Sequence, residues 1–268
     1  MMEVSTELKV SQSAVSKRIA NLENYYDRKL IERHGRRVVL TSHGKRLVER
    51  VTPLLSELRS VFLEDHALRK GQIILGVSEA ILASWGPRLF SEAGRRLPGL
   101  EFEFHAQRSP VVLDRLRSGE YMVGICTGTP DADTDLVSEV IREEPMVILP
   151  AGLEQIPYRP GDALSVITIE SRSGAWASIE EAMNRLQLQR SVSLESFFSV
   201  AQMAIAGFGH GLVPAGVART LGVKDEDVIH LVGYGITRPV RFVARKSMFS
   251  QELVRSFYEE VRALALAV

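Results

Sequence analysis

The stretch Ser11-Gln12-Ser13-Ala14-Val15-Ser16-Lys17-Arg18-Ile19 concentrates amide, hydroxyl and cationic side chains within about two helical turns. Such groups recognise nucleic acid bases. Gln12 can pair bidentately with an adenine edge, Lys17 can reach a guanine or a phosphate, and Ser13 and Ser16 are small enough to let a helix lie deep in a groove. Arg18, with Arg33, Arg36 and Arg37 further on, suits phosphate contacts, which supply affinity and register more than sequence choice. A second set of polar residues follows apolar runs: Ser78 and Glu79; Gln107, Arg108 and Ser109; Ser171, Arg172 and Ser173; Glu195, Ser196 and Phe197. At strand-to-helix junctions, hydroxyls and free helix-start amides suit a carboxylate or a similar small anion. Glu79 and Glu195 are awkward for an anion and point to an amine or a more complex ligand. Serines at such places also cap helices without any ligand.

Other residue sets carry less. No nucleophile, base and orienting group stand in a recognisable set, and no paired acids have a useful spacing, so catalysis is not expected. His34, His43, His66, His105, His210 and His230 lack metal-ligand spacing, and neither a metal nor a cofactor is expected; His210, between glycines, is the one placed near a cleft. Cys126 is the sole cysteine. It ends an apolar run and reads as buried filler, since a redox sensor would need a resolving partner. Gly207, Gly209 and Gly211 follow a helix and precede a strand, the reverse of a dinucleotide loop, so Gly207 reads as a helix stop.

The elements that must position these residues follow from periodicity. Ser11 has cap chemistry, and Val15, Ile19, Leu22 and Tyr26 then share one narrow arc of a helix, a predicted buried stripe. Gln12, Ser13, Ser16, Lys17 and Ala20 share another, polar arc. Leu30–Leu40 places two short β-prone runs around Gly35, a hairpin or wing. Thr41 or Ser42 caps the next helix, whose Leu47, Val51, Leu54, Leu55, Leu58 and Phe62 recur at spacings of three and four, interrupted only by Pro53 and ended at Arg69-Lys70-Gly71. From Gln72 strands and helices alternate: Ile73–Val77, a helix over Ala80–Leu97 despite Pro87, Phe102–Gln107, Val111–Ser118, Tyr121–Thr127 and Val137–Leu149. After a Gly/Pro-rich stretch come Ser165–Ile169, Ile179–Leu188, Val192–Leu194, Phe197–Ala206, Gly211–Pro214, Val228–Val232, Val240–Ala244 and the helix Gln251–Leu266. This texture predicts α/β units with mostly parallel sheets, in two lobes.

Composition agrees. The 268 residues are 45% hydrophobic, enough for real cores, and no apolar run is long enough to span a bilayer. The start, MMEVSTELKVSQ, lacks the pattern of a secretory signal, so a cytoplasmic place is expected. The net charge of zero conceals an asymmetry: residues 1–70 hold 14 Lys and Arg against 9 Asp and Glu, while residues 71–268 hold 19 against 24. A basic head on an acidic body fits a nucleic-acid-binding module joined to a second functional unit.

Three stretches carry a resemblance to a known family. Ser11–Ile19, followed by Asn21-Leu22-Glu23, Leu30-Ile31-Glu32-Arg33 and Val38–Leu47, resembles the second half of the DNA-binding domain of LysR-type transcriptional regulators. Val200–Pro214 and Leu113–Ile125 resemble that family's effector domain over about Gly71–Ala267. The resemblance implies a winged helix-turn-helix followed by a dimerisation helix and an effector domain of the type-2 periplasmic-binding-protein fold. It makes Gln12, Ser13, Ser16 and Lys17 the base-reading candidates and implies a tetramer as the working form. One departure stands out: the family's domain starts about 17 residues earlier, whereas only Met1–Val10 precede Ser11 here. The cover over Val15, Ile19 and Leu22 is therefore expected to be incomplete.

The expected organisation is a partial winged helix-turn-helix over 1–43, a linker and dimerisation helix over 44–70, and an effector-binding domain over 71–268. Its lobe I takes 71–150 and 237–268, and its lobe II takes 151–236. The expected partners are double-stranded DNA, a small-molecule effector such as an organic anion, and further copies of the chain through the linker helix, with no membrane. Two other readings stay open on the sequence. One is an effector-binding protein that has lost DNA binding through its short N-terminus. The other is a bilobal solute-binding protein or a dehydratase-like enzyme.

Overall fold

The structure, a computed structural model, describes residues 10–267 except 36, 53, 56, 57, 59–70, 131–134, 160 and 232, and all of their side chains but those of 37 and 267. The chain divides into two compact units, Met1–Leu58 and Arg59–Val268.

In the first unit, α1 runs over Gln12–Tyr26. The Ser11 hydroxyl accepts a hydrogen bond from the Ala14 amide at 3.2 Å, satisfying one of the free donors of the first turn. Asp27, in the left-handed region at φ 50°, ends the helix. Two strands follow, β1 (Ile31–His34) and β2 (Arg37–Leu40), antiparallel from Ile31 opposite Leu40 to His34 opposite Arg37, turning at Gly35 with φ 63°. Residues 42–52 are then helical, as are 54, 55 and 58. Thr41 is their cap: its hydroxyl accepts from the Gly44 amide and donates to the Lys29 carbonyl. Pro53, Phe62, Arg69 and Lys70 lie outside the described residues, and with them the predicted end of this helix.

The predicted apolar stripe of α1 needs correction. Val15 is buried and Ile19 half-buried, but Leu22 is 42% and Tyr26 50% exposed. The arc is apolar as expected, yet burial is confined to its N-terminal half among the described residues. Near its C-terminal end the buried position is taken by Glu23.

The second unit contains one nine-stranded sheet in the order β4-β3-β5-β11-β6-β9-β7-β8, with β10 paired to β6. Its strands are β3 (Gln72–Ser78), β4 (Glu101–Gln107), β5 (Val123–Cys126), β6 (Leu136–Leu149), β7 (Leu164–Ile169), β8 (Leu188–Leu194), β9 (His210–Pro214), β10 (Ile229–His230) and β11 (Thr237–Arg245). The expectation of mostly parallel sheets is also corrected. β3 is parallel to β4 and β5, and β7 to β8 and β9, but β11 runs antiparallel to both β5 and β6, and β6 antiparallel to β9 and β10. The reason is topological. β6 leaves the first three-stranded parallel core and runs on into the second, and β11 brings the chain back beside it.

Three apolar cores result among the described residues, the smallest made by Val112, Leu113, Leu116, Tyr121, Cys126 and Val243 of the first lobe; the other two are larger. Ile73, Leu75, Ile125, Phe242 and Phe257 centre one; Ile148, Ile167, Ile179, Val200 and Leu212 centre the other. Met146–Leu149, the end of β6, already belong to the second core and pair with β9. The two lobes thus meet where Pro145 gives way to Met146 and where Ile236, whose carbonyl accepts from the Met146 amide, gives way to Thr237. Helices cover both lobes: α2 (Glu79–Leu82), α3 (Gly86–Arg96), α4 (Ser109–Arg117), α5 (Trp176–Arg185), α6 (Phe197–Ile205), α7 (Ala215–Thr220), α8 (Lys246–Phe249) and α9 (Glu252–Ala267). The single helix expected over Ala80–Leu97 is two, α2 and α3. Pro87 opens the second, and a Cβ at Gly86 would lie 2.7 Å from the Ile81 carbonyl oxygen, so the chain turns tightly between them. Of the strand expected over Val228–Val232, only Ile229–His230 pair with β6; Val232 lies outside the described residues.

Candidate functional site

Two surfaces gather the side chains singled out from the sequence. The first is α1. Gln12, Ser13, Ser16, Lys17 and Arg18 are all exposed, whereas Val15 between them is buried. Arg33, on β1, is exposed as well. Arg36 lies outside the described residues, and Arg37 is placed in β2 without a described side chain. One residue the sequence reading passed over fixes this surface. Glu23, buried at the end of α1, accepts from Lys29 Nζ at 2.7 Å, from the Leu30 amide at 2.8 Å and from the Ile31 amide at 3.2 Å. The carboxylate therefore ties the start of the wing strand to the helix. The Lys29 ammonium and these two amides hold its pKa down to about 2.

The second surface is the cleft between the lobes of the second unit, narrow and open to solvent. Ser78, Glu79, Gln107, Arg108 and Ser109 line it from the first lobe, and Ser173, Glu195, Ser196 and Phe197 from the second. Ser171 and Arg172 are exposed and do not line it, because the chain turns outward before Ser173. His210 is not a cleft residue either; its Nδ1 accepts from the Ala151 amide at 3.0 Å. Each lobe contributes the same construction: parallel strands end at the cleft and helices begin there. α6 begins at Phe197 with no side-chain cap from Ser196, and α2 begins after Ser78, likewise without one.

The cleft hydroxyls bond to one another. Ser78 Oγ lies 2.8 Å from Ser109 Oγ, which is 3.1 Å from Thr127 Oγ1 and accepts from the Thr127 amide. Thr127 was not among the residues anticipated. Nor was Arg238, whose side chain reaches the cleft wall while remaining almost fully buried. Its Nε donates to Glu144 Oε2 at 2.8 Å, its Nη2 is 2.6 Å from the same oxygen, and Trp85 Nε1 donates to Glu144 Oε1 at 3.0 Å. The guanidinium carbon stands 5.1 Å from the centre of the Phe197 ring. Arg238 and Glu144 face each other across β11 and β6 but are far apart in the chain, so no local pattern links them. Among the described residues no group of three or more His, Cys, Asp and Glu could hold a metal ion. Cys126 is buried under the first lobe, and burial pushes its thiol pKa up to about 11.

Residues 66–265 match the LysR substrate binding domain family, and residues 2–45 match the bacterial regulatory helix-turn-helix protein, lysR family. The chain belongs to the LysR family. It is a DNA-binding transcription regulator with an effector domain. A similar protein is an uncharacterized HTH-type transcriptional regulator of Vibrio cholerae, 26% identical across 100% of this chain and 93% of its own length. The solved LysR family regulator CbnR superposes with a TM-score of 0.64 over 99% of this chain and 93% of CbnR, at 18% identity. A sulfate-bound mutant regulatory domain of OxyR2 from Vibrio vulnificus gives 0.59 over 74% of this chain and 97% of that domain, at 21% identity. These likenesses agree with the winged helix and the bilobal α/β unit expected of a LysR regulator. They do not favour the readings without DNA binding or as a solute carrier. Among the described residues no helix is long and apolar enough to cross a membrane.

Proposed function

We propose that this LysR regulator reads duplex DNA through the exposed face of α1 and is controlled by a small molecule bound between the lobes of its second unit. The reading assigns Gln12, Ser13, Ser16 and Lys17 to base edges in the major groove, and Arg18, Arg33, Arg36 and Arg37 to phosphates. The observation that carries it is the separation of roles along the first turns of α1: Gln12, Ser13, Ser16, Lys17 and Arg18 are all exposed while Val15 is buried. The effector is a small molecule with a carboxylate or similar anionic group, received at the uncapped start of α6 and by the cleft hydroxyls. It acts without chemical turnover, in the cytoplasm, by binding two arrangements of the assembly with different affinity. The assembly is a homo-oligomer joined through the linker helix, and the 1–43, 44–70 and 71–268 division gives each segment one task.

A gel-shift titration across salt concentrations tests the DNA reading. A cation that neutralises one phosphate contributes about one to the slope of log affinity against log salt. Arg18→Ala and Arg33→Ala are each expected to flatten the slope by about one. Gln12→Ala is expected to leave the slope alone and to cost about 1–3 kcal/mol on the preferred site only. A parent protein with no preference among duplex sequences overturns the reading.

A further inference from the structure

Arg108 stands in the first lobe, at the residue before α4, and its side chain crosses the cleft. It is ion-paired with Glu170, which follows β7, and its Nη1 lies 3.4 Å from Glu195 Oε2, which follows β8. Both carboxylates belong to the second lobe. Beside this bridge the lobes are in contact. A Cβ added at Gly174 of the second lobe would fall 2.7 Å from Gly128 Cα and 2.8 Å from Ser109 Cβ, both of the first. The bridge therefore spans a cleft that is shut at this end.

The charges decide what can displace the bridge. Arg238, the other cation among the described residues that line the cleft, is held by Glu144 and is not available to Glu170 and Glu195. A ligand bearing only negative charge would draw Arg108 away and leave two carboxylates without a counter-charge, Glu170 with a side chain only 22% exposed. Uncompensated like charges in a partly buried site are costly. A ligand bringing its own positive group avoids that state, because Arg108, 37% exposed, can turn back to water.

We propose that Arg108 is an interlobe latch whose guanidinium holds the seat of a cationic group of the effector. The effector then carries an ammonium or guanidinium, which replaces Arg108 between Glu170 and Glu195, as well as an anionic group. The proposal rests on the reading of the cleft as the effector's place. Its test uses neither DNA nor effector, so a regulator that failed to bind DNA would leave the outcome standing.

Amide hydrogen exchange on the full chain reads the latch. In R108A the amides of Ser109, Val111 and Val112 and those of 171–176 are expected to exchange about two- to fivefold faster than in the parent, the range of a half-exposed ion pair. E170Q/E195Q, which leaves Arg108 in place, is expected to speed the same amides, and it reads the opening even if R108A folds poorly. Ethylguanidinium chloride at low millimolar concentration is expected to slow them again in R108A and to have no effect in R108A/E170Q/E195Q, while equimolar sodium chloride does nothing in either. Unchanged exchange in E170Q/E195Q and in folded R108A overturns the latch. Faster exchange without rescue, or rescue that survives loss of both carboxylates, overturns the cation seat.

Discussion

Glu23 shows how one side chain can set the geometry of a recognition surface. Its carboxylate receives an ammonium and two amides from the segment that opens the wing, so it holds helix and hairpin together most strongly while it is ionised. The folded pKa, about 2, lies below the ordinary 4.5, so the stabilisation is whole above about pH 4.5 and is lost as pH falls toward 2. Glu23→Gln is expected to lower the thermal midpoint of the N-terminal unit at pH 7, and the difference from the parent is expected to be much smaller at pH 2.5, followed by circular dichroism. In the cleft, Ser109 is the shared partner of Ser78 and Thr127. Ser109→Ala leaves buried hydroxyls without their common oxygen and is expected to cost about 1–3 kcal/mol of the second unit's stability. Ser78→Ala, which removes only one end of the chain of bonds, is expected to cost less; urea titrations of the two variants compare them.

At the scale of elements, β6 and β11 matter most, because they are the two strands that pass between the lobes. Arg238 and Glu144 stand opposite each other on them, with Trp85 on the second carboxylate oxygen and Phe197 under the guanidinium. The pair ties the crossover strands to the first turn of α6 and to the segment before α3. Both side chains are almost fully buried, so removing one strands a charge out of water. Arg238→Ala is expected to cost about 3–5 kcal/mol in denaturant unfolding. Arg238→Met with Glu144→Leu is expected to recover most of that loss, since a pair of apolar side chains of similar volume needs no counter-charge. Equal losses in the single and double variants would contradict the pairing.

Across the whole molecule, the helical residues after the wing leave Leu54 62%, Leu55 51% and Leu58 56% exposed in a single chain. Apolar side chains recurring on one helix at this exposure ask for a partner, and a second copy of the same helix supplies a matching surface. Light scattering at micromolar concentration is expected to find the parent as an oligomer. Leu54→Glu/Leu58→Glu is expected to shift the mass toward that of one chain. A parent that runs as a monomer would remove the linker helix as an interface.

Much of this was legible in order along the chain. The Ser11 cap, the hairpin at Gly35, the long β6 and the stop at Gly207, with its φ of 83°, were readable because local periodicity and turn chemistry act over a few residues. The strand ends at Ser78, Gln107 and Glu195 were readable for the same reason, and so nine of the eleven cleft residues inferred from junctions do line the cleft. Ser171 and Arg172 were not excluded by sequence, because the outward turn before Ser173 depends on how the lobe packs. The exposure of Leu22 and Tyr26 was equally hidden: periodicity tells which side chains share an arc, and packing alone tells whether anything lies against it. Arg238 with Glu144, and Arg108 with Glu170, join positions far apart in sequence. Chain sequence by itself determined most of the elements and the resemblance to the family; tertiary structure decided the charge pairing across the cleft, because electrostatic partners are chosen by distance in space and the local pattern holds no record of it.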